Sequence, residues 1–386
     1  MHSNELNLTD GHAYHEMPDQ LVGVIDRLPE LWHRAQRSTL STIENDFRAA
    51  WCHVAGTPSL ADGGGMRLCP TASNALDIVA AWCRAGRLRV GLVEPTFDNL
   101  ALLFRRREVP LVPLDLPSFA AAAAVGTLDE AVNHTTLDAL LIVNPNNPTG
   151  EDLGPESFAH IARWCQLHDI TLITDNTFRH YRREPFDDAA ITNALGCRYI
   201  SIEDTGKTWP TLDSKVSALF FSSELMDLHE FYEEQYLCTS GATVVMMTEI
   251  LEETARIGLQ TVVWELIDRR RAQLRQALSQ GPLTVAPESV DSLLPVEWVD
   301  SSAVGPSQAT AERIRRGLGV HVLPGDNFFW ARHRERGDAV ATEFSRLRLS
   351  LCKPERAFTD AVTTLGSVLL NEVLANSDPT QIGESS

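Results

Sequence analysis

The chain has 386 residues, of which 44% are hydrophobic and 22% charged, and its formal net charge is −19. This composition is that of a globular protein long enough for two domains. The acidity argues against a nucleic-acid partner, which would need a basic surface, and mildly favours a cationic small substrate. The seven cysteines are scattered and form no CxxC pair, which predicts reduced thiols. The N-terminus is polar, and the sequence lacks an apolar run of about 20 residues, so we predict a cytoplasmic protein without a membrane span.

From about residue 66, short apolar or β-branched runs alternate with helical patterns. RLCP precedes SNALDIVAAWCRAG, LRVGLVEP precedes FDNLALLFRRR, VPLVPLDL precedes an alanine-rich stretch, and ALLIVNP precedes ESFAHIARWCQLHD. The runs ITLITD, CRYISIED and VSALFFS follow. This alternation predicts an α/β fold with a large, mostly parallel, doubly wound sheet that has helices on both faces.

The C-terminal part of the sequence has a different pattern. Residues 224–281 predict long helices, and a second unit with a few strands, an intervening helix and a last helix over 354–373 follows. We therefore predict a large domain over 61–255. An interdomain helix and a smaller α+β domain should follow over 256–373, before a disordered tail over 374–386.

Polar residues follow several of the predicted strands directly. In doubly wound sheets, ligands bind beyond the carboxyl ends of the strands. The segments that follow strands are Pro70–Asn74, Glu94–Asn99, Asn144–Gly150, Asp175–Phe178 and Asp204–Lys207. Their convergence predicts one ligand site at a single edge of the sheet.

Three of these segments together resemble the fold type I pyridoxal 5'-phosphate (PLP) enzymes of the class I/II aminotransferase family. They are NPNNPTG at 144–150, an aspartate after ITLIT, and a lysine after ISIEDTG. The resemblance implies that Lys207 forms the Schiff base with PLP and that Asp175 pairs with the pyridinium nitrogen. It also implies that Asn147 donates to the ring oxygen of the cofactor, beside the substrate.

The phosphate of PLP is expected at the start of the first helix of the large domain. Thr71, Ala72 and Ser73 lie there, where backbone N–H groups and the helix dipole favour an anion. Ser73 could equally be a plain N-cap. Lys215 stands eight residues after Lys207, where the family usually has a phosphate-binding arginine.

Further residues match the family pattern by position. Phe97 matches the aromatic residue that stacks on the pyridine ring, and Thr177 is assigned to cofactor or lid contacts. Arg348 matches the arginine that binds the substrate α-carboxylate, and Arg346 lies on the same face of its strand.

Two positions depart from an ordinary aminotransferase. The family's tyrosine three residues after the pyridine aspartate is replaced by Phe178, which removes a donor to the cofactor's ring oxygen. Asp204 stands three residues before the lysine, where serine is common, and places a carboxylate near the substrate.

The sequence is also similar to a narrower group, the PLP- and oxygen-dependent L-arginine oxidases and hydroxylases. The similarity lies in the N-terminal SNELNLTDGHA and in the segments EPTFDN, DNTFR and IEDTGK. This resemblance implies oxidation of L-arginine by dioxygen through quinonoid intermediates, without flavin or metal. The products would be 4-hydroxy-2-oxoarginine, 2-oxoarginine or both, with ammonia and hydrogen peroxide, and some relatives stop at a desaturated arginine.

In this interpretation, residues 1–20 form a mobile lid over the substrate, and residues 21–60 form helices associated with the small domain. His12 would transfer protons or position water, because histidine is the side chain that titrates near neutrality. Asp10 and Asp204 would bind the guanidinium or hold His12. Since family members carry further guanidinium contacts before ELN, either a shorter lid or a different true start is expected.

Other functions remain open at this stage. The chain could be an aminotransferase of a cationic amino acid, or a PLP-binding protein without catalysis. Retention of Lys207, Asp175, Asn147 and Arg348 argues against the last. The resemblance also implies a homodimer, and the distribution of products stays undecided because it depends on placement at the ångström scale.

Overall fold

The computed structural model describes residues 6–62, 64–235, 239–331 and 344–375. Its contacts divide the chain into two compact units. The larger unit comprises Met17–Asn147 and Glu151–Trp264, and the smaller comprises Met1–Glu16, Pro148–Gly150 and Glu265–Ser386. The predicted boundary between large and small domains, at 255/256, therefore lies nine residues before the observed one.

The strands are short, as expected for a globular domain. In chain order they are β1 (Leu6–Asn7), β2 (Gly65–Cys69), β3 (Val90–Glu94), β4 (Leu111–Asp115), β5 (Ala139–Val143), β6 (Thr171–Asp175), β7 (Tyr199–Asp204), β8 (Ser217–Phe221), β9 (Thr284–Val285), β10 (Val296–Asp300), β11 (Val320–His321), β12 (Leu323–Pro324) and β13 (Arg346–Ser350).

The helices of the larger unit are α1 (Asp19–Asp26), α2 (Leu28–Arg37), α3 (Leu40–Ala55), α4 (Ser59–Asp62), α5 (Ala72–Ala85), α6 (Asp98–Arg106), α7 (Leu116–Val125), α8 (Leu128–Ala131), α9 (Pro155–Leu167), α10 (Asp188–Leu195), α11 (Leu228–Glu234) and α12 (Gly241–Ile257). Those of the smaller unit are α13 (Glu265–Leu278), α14 (Ser307–Leu318), α15 (Glu355–Leu365) and α16 (Val368–Ala375). Short 3-10 turns cover His134–Thr136, Arg179–Tyr181, Ser223–Leu225, Pro287–Ser289 and Asp326–Phe328, and a π-helical turn covers Gln260–Trp264.

The larger unit contains a seven-stranded sheet in the order β2-β8-β7-β6-β5-β3-β4. All neighbours are parallel except β8, which is antiparallel to both β2 and β7. Every residue of β3, β5, β6, β7 and β8 is buried. Strands buried on both faces need continuous apolar runs such as the ALLIV of β5, which is why the sequence predicted this sheet correctly.

The N-terminal helices belong to the larger unit. The sequence predicts that residues 21–60 associate with the small domain, whereas their contacts group them with the larger unit. The reason is the apolar stripe of α3, which includes the buried Ile43, Phe47 and Trp51. This helix packs against α12, so its apolar side is covered within the larger unit.

The smaller unit is an α+β unit, as predicted. Its antiparallel sheet has the order β12-β13-β10-β9, and β1 pairs in parallel with β11. The predicted last helix over 354–373 is two helices, α15 and α16, because α15 ends at Gly366. The predicted tail begins inside α16, and residues 376–386 lie outside the described residues. Among the described residues, no helix combines the length and apolar character needed to cross a membrane.

Candidate active site

The strand-end segments of the larger unit do lie along one edge of its sheet. Cys69 at the end of β2 and Asp204 at the end of β7 both pair with Ser217, the first residue of β8. Val143 at the end of β5 pairs with Asp175 at the end of β6. The sheet therefore places the predicted cofactor residues from these segments on the same edge.

Asp175 is a buried carboxylate, 3% exposed. Burial raises the pKa of its carboxyl to about 6, although hydrogen bonds from Thr177 and the charge of Lys207 act to lower it. The Thr177 N–H donates to Asp175 Oδ1 at 3.0 Å, and the Thr177 hydroxyl donates as well. A buried carboxylate of this kind is stabilised by a cation, and the protonated nitrogen of a pyridine ring is a suitable one.

Thr177 was predicted to contact the cofactor or the lid, and this stays a prediction; in the structure it donates to the carboxylate of Asp175. Its two hydrogen bonds fix the direction of that carboxylate. The sequence signal for this contact is the spacing, since an Asp commonly accepts from the N–H two residues later.

Behind Asp175 lies a buried ionic network that the sequence analysis did not recognise. Arg179 donates to both carboxylate oxygens of Glu203 through Nε, at 3.1 and 3.0 Å, and its Nη2 lies 2.6 Å from Asp188 Oδ2. All three side chains are at most 2% exposed. The network ties the turn after β6 to β7 and α10, and so positions Asp175. A glutamate within the apolar run of β7 was the available sequence signal.

Asp204 is held by donors from two directions. Its Oδ1 accepts from the Gly206 N–H at 3.2 Å and from the Ser217 hydroxyl at 2.9 Å. A Cβ at Gly206 would lie 2.6 Å from Cδ of Lys215, so the glycine gives room for the Lys215 side chain beside the turn. The two lysine-bearing segments, at 207 and 215, therefore meet at Gly206.

Lys207 lies in the turn after β7 and is half-buried. The Tyr181 hydroxyl donates to its backbone carbonyl at 2.7 Å. Its Nζ is 5.9 Å from the ring centroid of Phe178, the residue that replaces the expected tyrosine. The backbone of the turn is thus fixed by a tyrosine, while the amine faces a purely apolar ring at position 178.

The start of α5 is organised by a cap. The Thr71 hydroxyl accepts from the Asn74 N–H at 3.2 Å and donates to Asn74 Oδ1 at 2.7 Å. Thr71 is therefore the N-cap, and the alternative that Ser73 has this role is wrong. The Ser73 hydroxyl accepts from Asn99 Nδ2 at 3.2 Å. The helix is 14 residues long, and its first-turn N–H groups can bind a phosphate.

Asn147 is 4% exposed, and the asparagine before it is hydrogen-bonded to the turn that carries Phe97. The Asn146 amide donates to the Pro95 carbonyl at 3.1 Å, and its oxygen accepts from the Thr96 hydroxyl at 3.1 Å. These bonds join the segments after β5 and β3, so Asn147 and Phe97 belong to neighbouring, mutually fixed turns.

The chemistry of these side chains fits PLP. They offer a buried carboxylate for the pyridine nitrogen, a side-chain amide for the ring oxygen and an amine for the aldehyde. For the phosphate they offer a helix N-terminus and a lysine at the same edge of the sheet. All of these groups belong to the larger unit.

Arg348 lies in β13 of the smaller unit, opposite Trp298 of β10. Its side chain is buried, its Nη2 donates to the Thr9 carbonyl at 2.8 Å, and its guanidinium carbon lies 5.2 Å from the Phe328 ring centroid. Arg346 on the same face pairs with Glu288 at 2.7 Å. The two arginines are thus distinguished by their surroundings, and Arg348 is the one suited to bind a carboxylate.

The N-terminal segment is held on the smaller unit by backbone hydrogen bonds. The Leu8 N–H donates to His321 O and the Leu8 carbonyl accepts from the Ser350 N–H, both at 2.8 Å. The Tyr14 N–H donates to Cys352 O at 2.9 Å. Within the predicted lid over residues 1–20, residues 9–13 therefore form a loop between two segments that are hydrogen-bonded to the smaller unit.

Asp10 and His12 form a pair within this loop. His12 Nδ1 lies 2.6 Å from Asp10 Oδ1, which also accepts from the His12 N–H at 3.0 Å. Burial alone would raise the pKa of the Asp10 carboxyl, but the bonds and charge of His12, with the charge of Lys353, hold it well below its usual range. An ionised Asp10 accepts a hydrogen bond from the Nδ1–H group of His12, so Nδ1 is the ring nitrogen that holds its proton in this pair.

The fold and these residues define a PLP-dependent enzyme of fold type I. The family model for "Aminotransferase class I and II" matches residues 46–356. The chain therefore belongs to this family, and the predictions of its fold class and of PLP as its cofactor are confirmed.

Individual relatives differ in what they suggest. A solved structure of MppP soaked with its product 2-ketoarginine superposes with a TM-score of 0.84 at 28% identity, over 94% of this chain and 99% of that one. Aspartate aminotransferase from Thermus thermophilus with maleate superposes with a TM-score of 0.72 at 17% identity, over 94% and 91% of the two chains. The curated aspartate/prephenate aminotransferase of Thermus thermophilus is 23% identical over 60% of this chain. The chain spans 56% of that relative and 66% of the aspartate aminotransferase of Pyrococcus abyssi.

Proposed function

We propose that this enzyme oxidises L-arginine with dioxygen, releasing 2-oxoarginine, 4-hydroxy-2-oxoarginine or both, with ammonia and hydrogen peroxide. The observation that carries the proposal is the Asp10–His12 pair, placed in a loop whose Thr9 carbonyl accepts from Arg348. The likeness to MppP along nearly the whole of both chains supports it.

Bound PLP supplies the electron-withdrawing ring that makes the α-carbon of an amino acid acidic. In the larger unit, Asp175 would keep the pyridine nitrogen protonated, and Asn147 would donate to the ring oxygen. Lys207 Nζ would hold the cofactor and then accept the proton from the substrate α-carbon. Thr177 orients Asp175, so we assign it a positioning role.

For the substrate, we assign the α-carboxylate to Arg348, whose guanidinium can form two parallel hydrogen bonds. A guanidinium group of the substrate cannot lose its charge and needs carboxylate partners. We assign this task to Asp204 and Asp10. Of the two, Asp10 is the more exposed, with 40% of its side chain accessible.

The two products require different amounts of oxygen. Forming 2-oxoarginine consumes one dioxygen and one water per arginine and releases one ammonia and one hydrogen peroxide. The hydroxylated product consumes two dioxygen and two waters and releases one ammonia and two hydrogen peroxides, because water supplies the γ-hydroxyl group. We propose that His12 Nε2 accepts the proton of that water, while Asp10 holds the ring.

An oxygen electrode tests the proposal directly. PLP-loaded protein mixed with L-arginine, without any 2-oxo acid, should consume dioxygen, and the ratio of dioxygen to arginine should lie between one and two. Catalase should return half of the dioxygen, and Lys207→Ala should show no uptake. Absence of uptake by the loaded wild-type protein would overturn the proposal.

An aminotransferase acting on a cationic amino acid is the second candidate, favoured by the names of the curated relatives. In that case arginine alone would bleach the absorbance of the internal imine, and a 2-oxo acid would restore it without oxygen. We also propose a homodimer, which light scattering on the loaded protein would detect.

A further inference from the structure

A cluster of two histidines and one aspartate lies on the larger unit. It comprises Asp129 of α8, His134 of the following 3-10 turn and His168, the residue that caps the end of α9. The 3-10 turn and α9 lead into the starts of β5 and β6. The cluster is therefore at the edge of the sheet opposite to the strand ends that carry Asp175 and Lys207.

The donor atoms are spaced as the ligands of one metal ion would be. His168 Nε2 lies 3.1 Å and His134 Nδ1 3.5 Å from Asp129 Oδ1, and the three atoms all lie within 4.8 Å of one another. Tetrahedral zinc, with bonds of about 2.0–2.1 Å, separates neighbouring ligand atoms by roughly 3.3 Å. We propose that Asp129, His134 and His168 bind a divalent first-row transition-metal ion.

A fourth side chain orients the carboxylate. Trp164, one turn before His168 on α9, donates its indole N–H to Asp129 Oδ1 at 2.8 Å. This bond fixes the orientation of the carboxylate beside the two imidazoles, as outer hydrogen bonds commonly do for the carboxylates of metal sites.

The two imidazole rings must rotate relative to each other to bind one ion. They stack with centroids 3.9 Å apart and planes 17° from parallel. A metal ion binds in the plane of each ring, so the rings have to tilt until both lone pairs converge. The side chains of His134 and His168 are 41% and 21% exposed, and that of Asp129 is 64% exposed. This exposure permits the rotation and leaves coordination positions for water.

The ligand types select among metals. Two imidazole nitrogens and one carboxylate suit Zn²⁺, Co²⁺, Ni²⁺ or Cu²⁺. Mg²⁺ and Ca²⁺ prefer sites made of oxygen ligands. Binding would join α8 and the 3-10 turn to the end of α9, so the ion would act as a cross-link remote from the PLP site.

The test uses tag-free, PLP-loaded protein treated with a chelator. Equilibrium dialysis against Zn²⁺, in the presence of excess Mg²⁺, should give one zinc ion per chain. Loss of a residue that only hydrogen-bonds to a metal ligand typically lowers metal affinity by about 10- to 100-fold. Loss of a ligand itself should cost at least as much, so His134→Ala and His168→Ala should each lower the zinc affinity by about tenfold or more. His33→Ala, which removes an exposed histidine of α2, should leave the affinity unchanged.

Two spectroscopic readouts locate the ion. Co²⁺ at the site should give visible absorption bands that His168→Ala removes, while the absorbance of PLP stays the same. Cu²⁺ should quench the fluorescence of Trp164, whose ring lies 5.2 Å from that of His168, and Trp164→Phe should abolish that part of the quenching. The proposal would be overturned if the wild-type protein bound no zinc, or if the two histidine variants bound zinc as tightly as the wild type does.

Discussion

Asp175→Asn should have opposite effects on the cofactor-free and the PLP-loaded enzyme. The substitution keeps the size of the side chain and its ability to accept from the Thr177 N–H, but removes the negative charge. In the cofactor-free protein this charge is buried, and the charge of Lys207 offsets only part of the effect of burial on its pKa. The asparagine should therefore stabilise that form. In the loaded protein the same change removes the partner of the pyridinium and should be destabilising.

The size of the first effect follows from the pKa. The carboxyl pKa rises from 3.8 to about 6 through burial. At 1.36 kcal/mol per pKa unit, the ionised carboxylate disfavours the folded cofactor-free state by about 3 kcal/mol. Because the folded-state pKa is raised, the folded state binds the proton more tightly, so the stability from Asp175 is complete below pH 4 and is lost as the pH rises through 6.

Thermal unfolding of the cofactor-free proteins at several pH values measures this effect. At pH 7–8 the variant should unfold at a higher temperature, by roughly 6–12 °C at about 2–4 °C per kcal/mol. Near pH 4 the difference should vanish. Asp213→Asn, an exposed carboxylate of the same unit, serves as the control and should show no such dependence.

The second effect is measured as PLP affinity. Removing one partner of a buried ion pair costs about 3–5 kcal/mol, so PLP should bind roughly two to four orders of magnitude more weakly. If the cofactor-free variant is no more stable than the wild type between pH 7 and 8, then Asp175 is not a buried charge that destabilises the cofactor-free protein. Unchanged PLP affinity would refute its pairing with the pyridinium.

Three further variants test separate parts of the site. Lys207→Ala should lose the absorbance of the internal imine and all turnover, and turnover at even a few per cent of wild type would contradict its role. Arg348→Lys should raise KM for arginine by about tenfold or more, because a lysine lacks the two-pronged geometry for a carboxylate, whereas an unchanged KM would exclude the contact. His12→Ala should still consume oxygen but shift the product toward 2-oxoarginine, as mass spectrometry of the products would show. An unchanged hydroxylated fraction would remove His12 from that step.

Much of the candidate site could be predicted from the sequence because the site residues directly follow strands. NPNNPTG, the aspartate after ITLIT and the lysine after ISIEDTG each stand directly after an apolar run that became β5, β6 or β7. In a sheet in which these strands are parallel, this position alone brings them to one edge. The main features of the larger unit could therefore be predicted without knowledge of side-chain contacts.

Side-chain partners could not be predicted in the same way. The network of Arg179, Glu203 and Asp188 joins residues from three separate elements, and nothing in their sequence separation indicates that they meet. The unit to which α3 belongs depends on which helix covers its apolar stripe, and the stripe itself fits more than one partner. The pairing of Asp10 with His12 was local enough to suspect, but the sequence does not show that His12 Nδ1 is the ring nitrogen that faces the carboxylate.

The hydrogen bond between Thr9 and Arg348 joins residues 339 positions apart in the sequence. A ribosome that adds about 5–20 residues per second makes the N-terminal segment roughly 17–70 s before the strand that holds it. During this time the larger unit can fold and bind PLP, while residues 8–14 still have no strand to pair with. Arg348 and the His12 loop thus reach their final arrangement only when synthesis is almost complete. A nascent or C-terminally truncated chain would keep the residues assigned here to the cofactor but would lack Arg348, and its His12 loop would lack the hydrogen bond from Arg348 to Thr9.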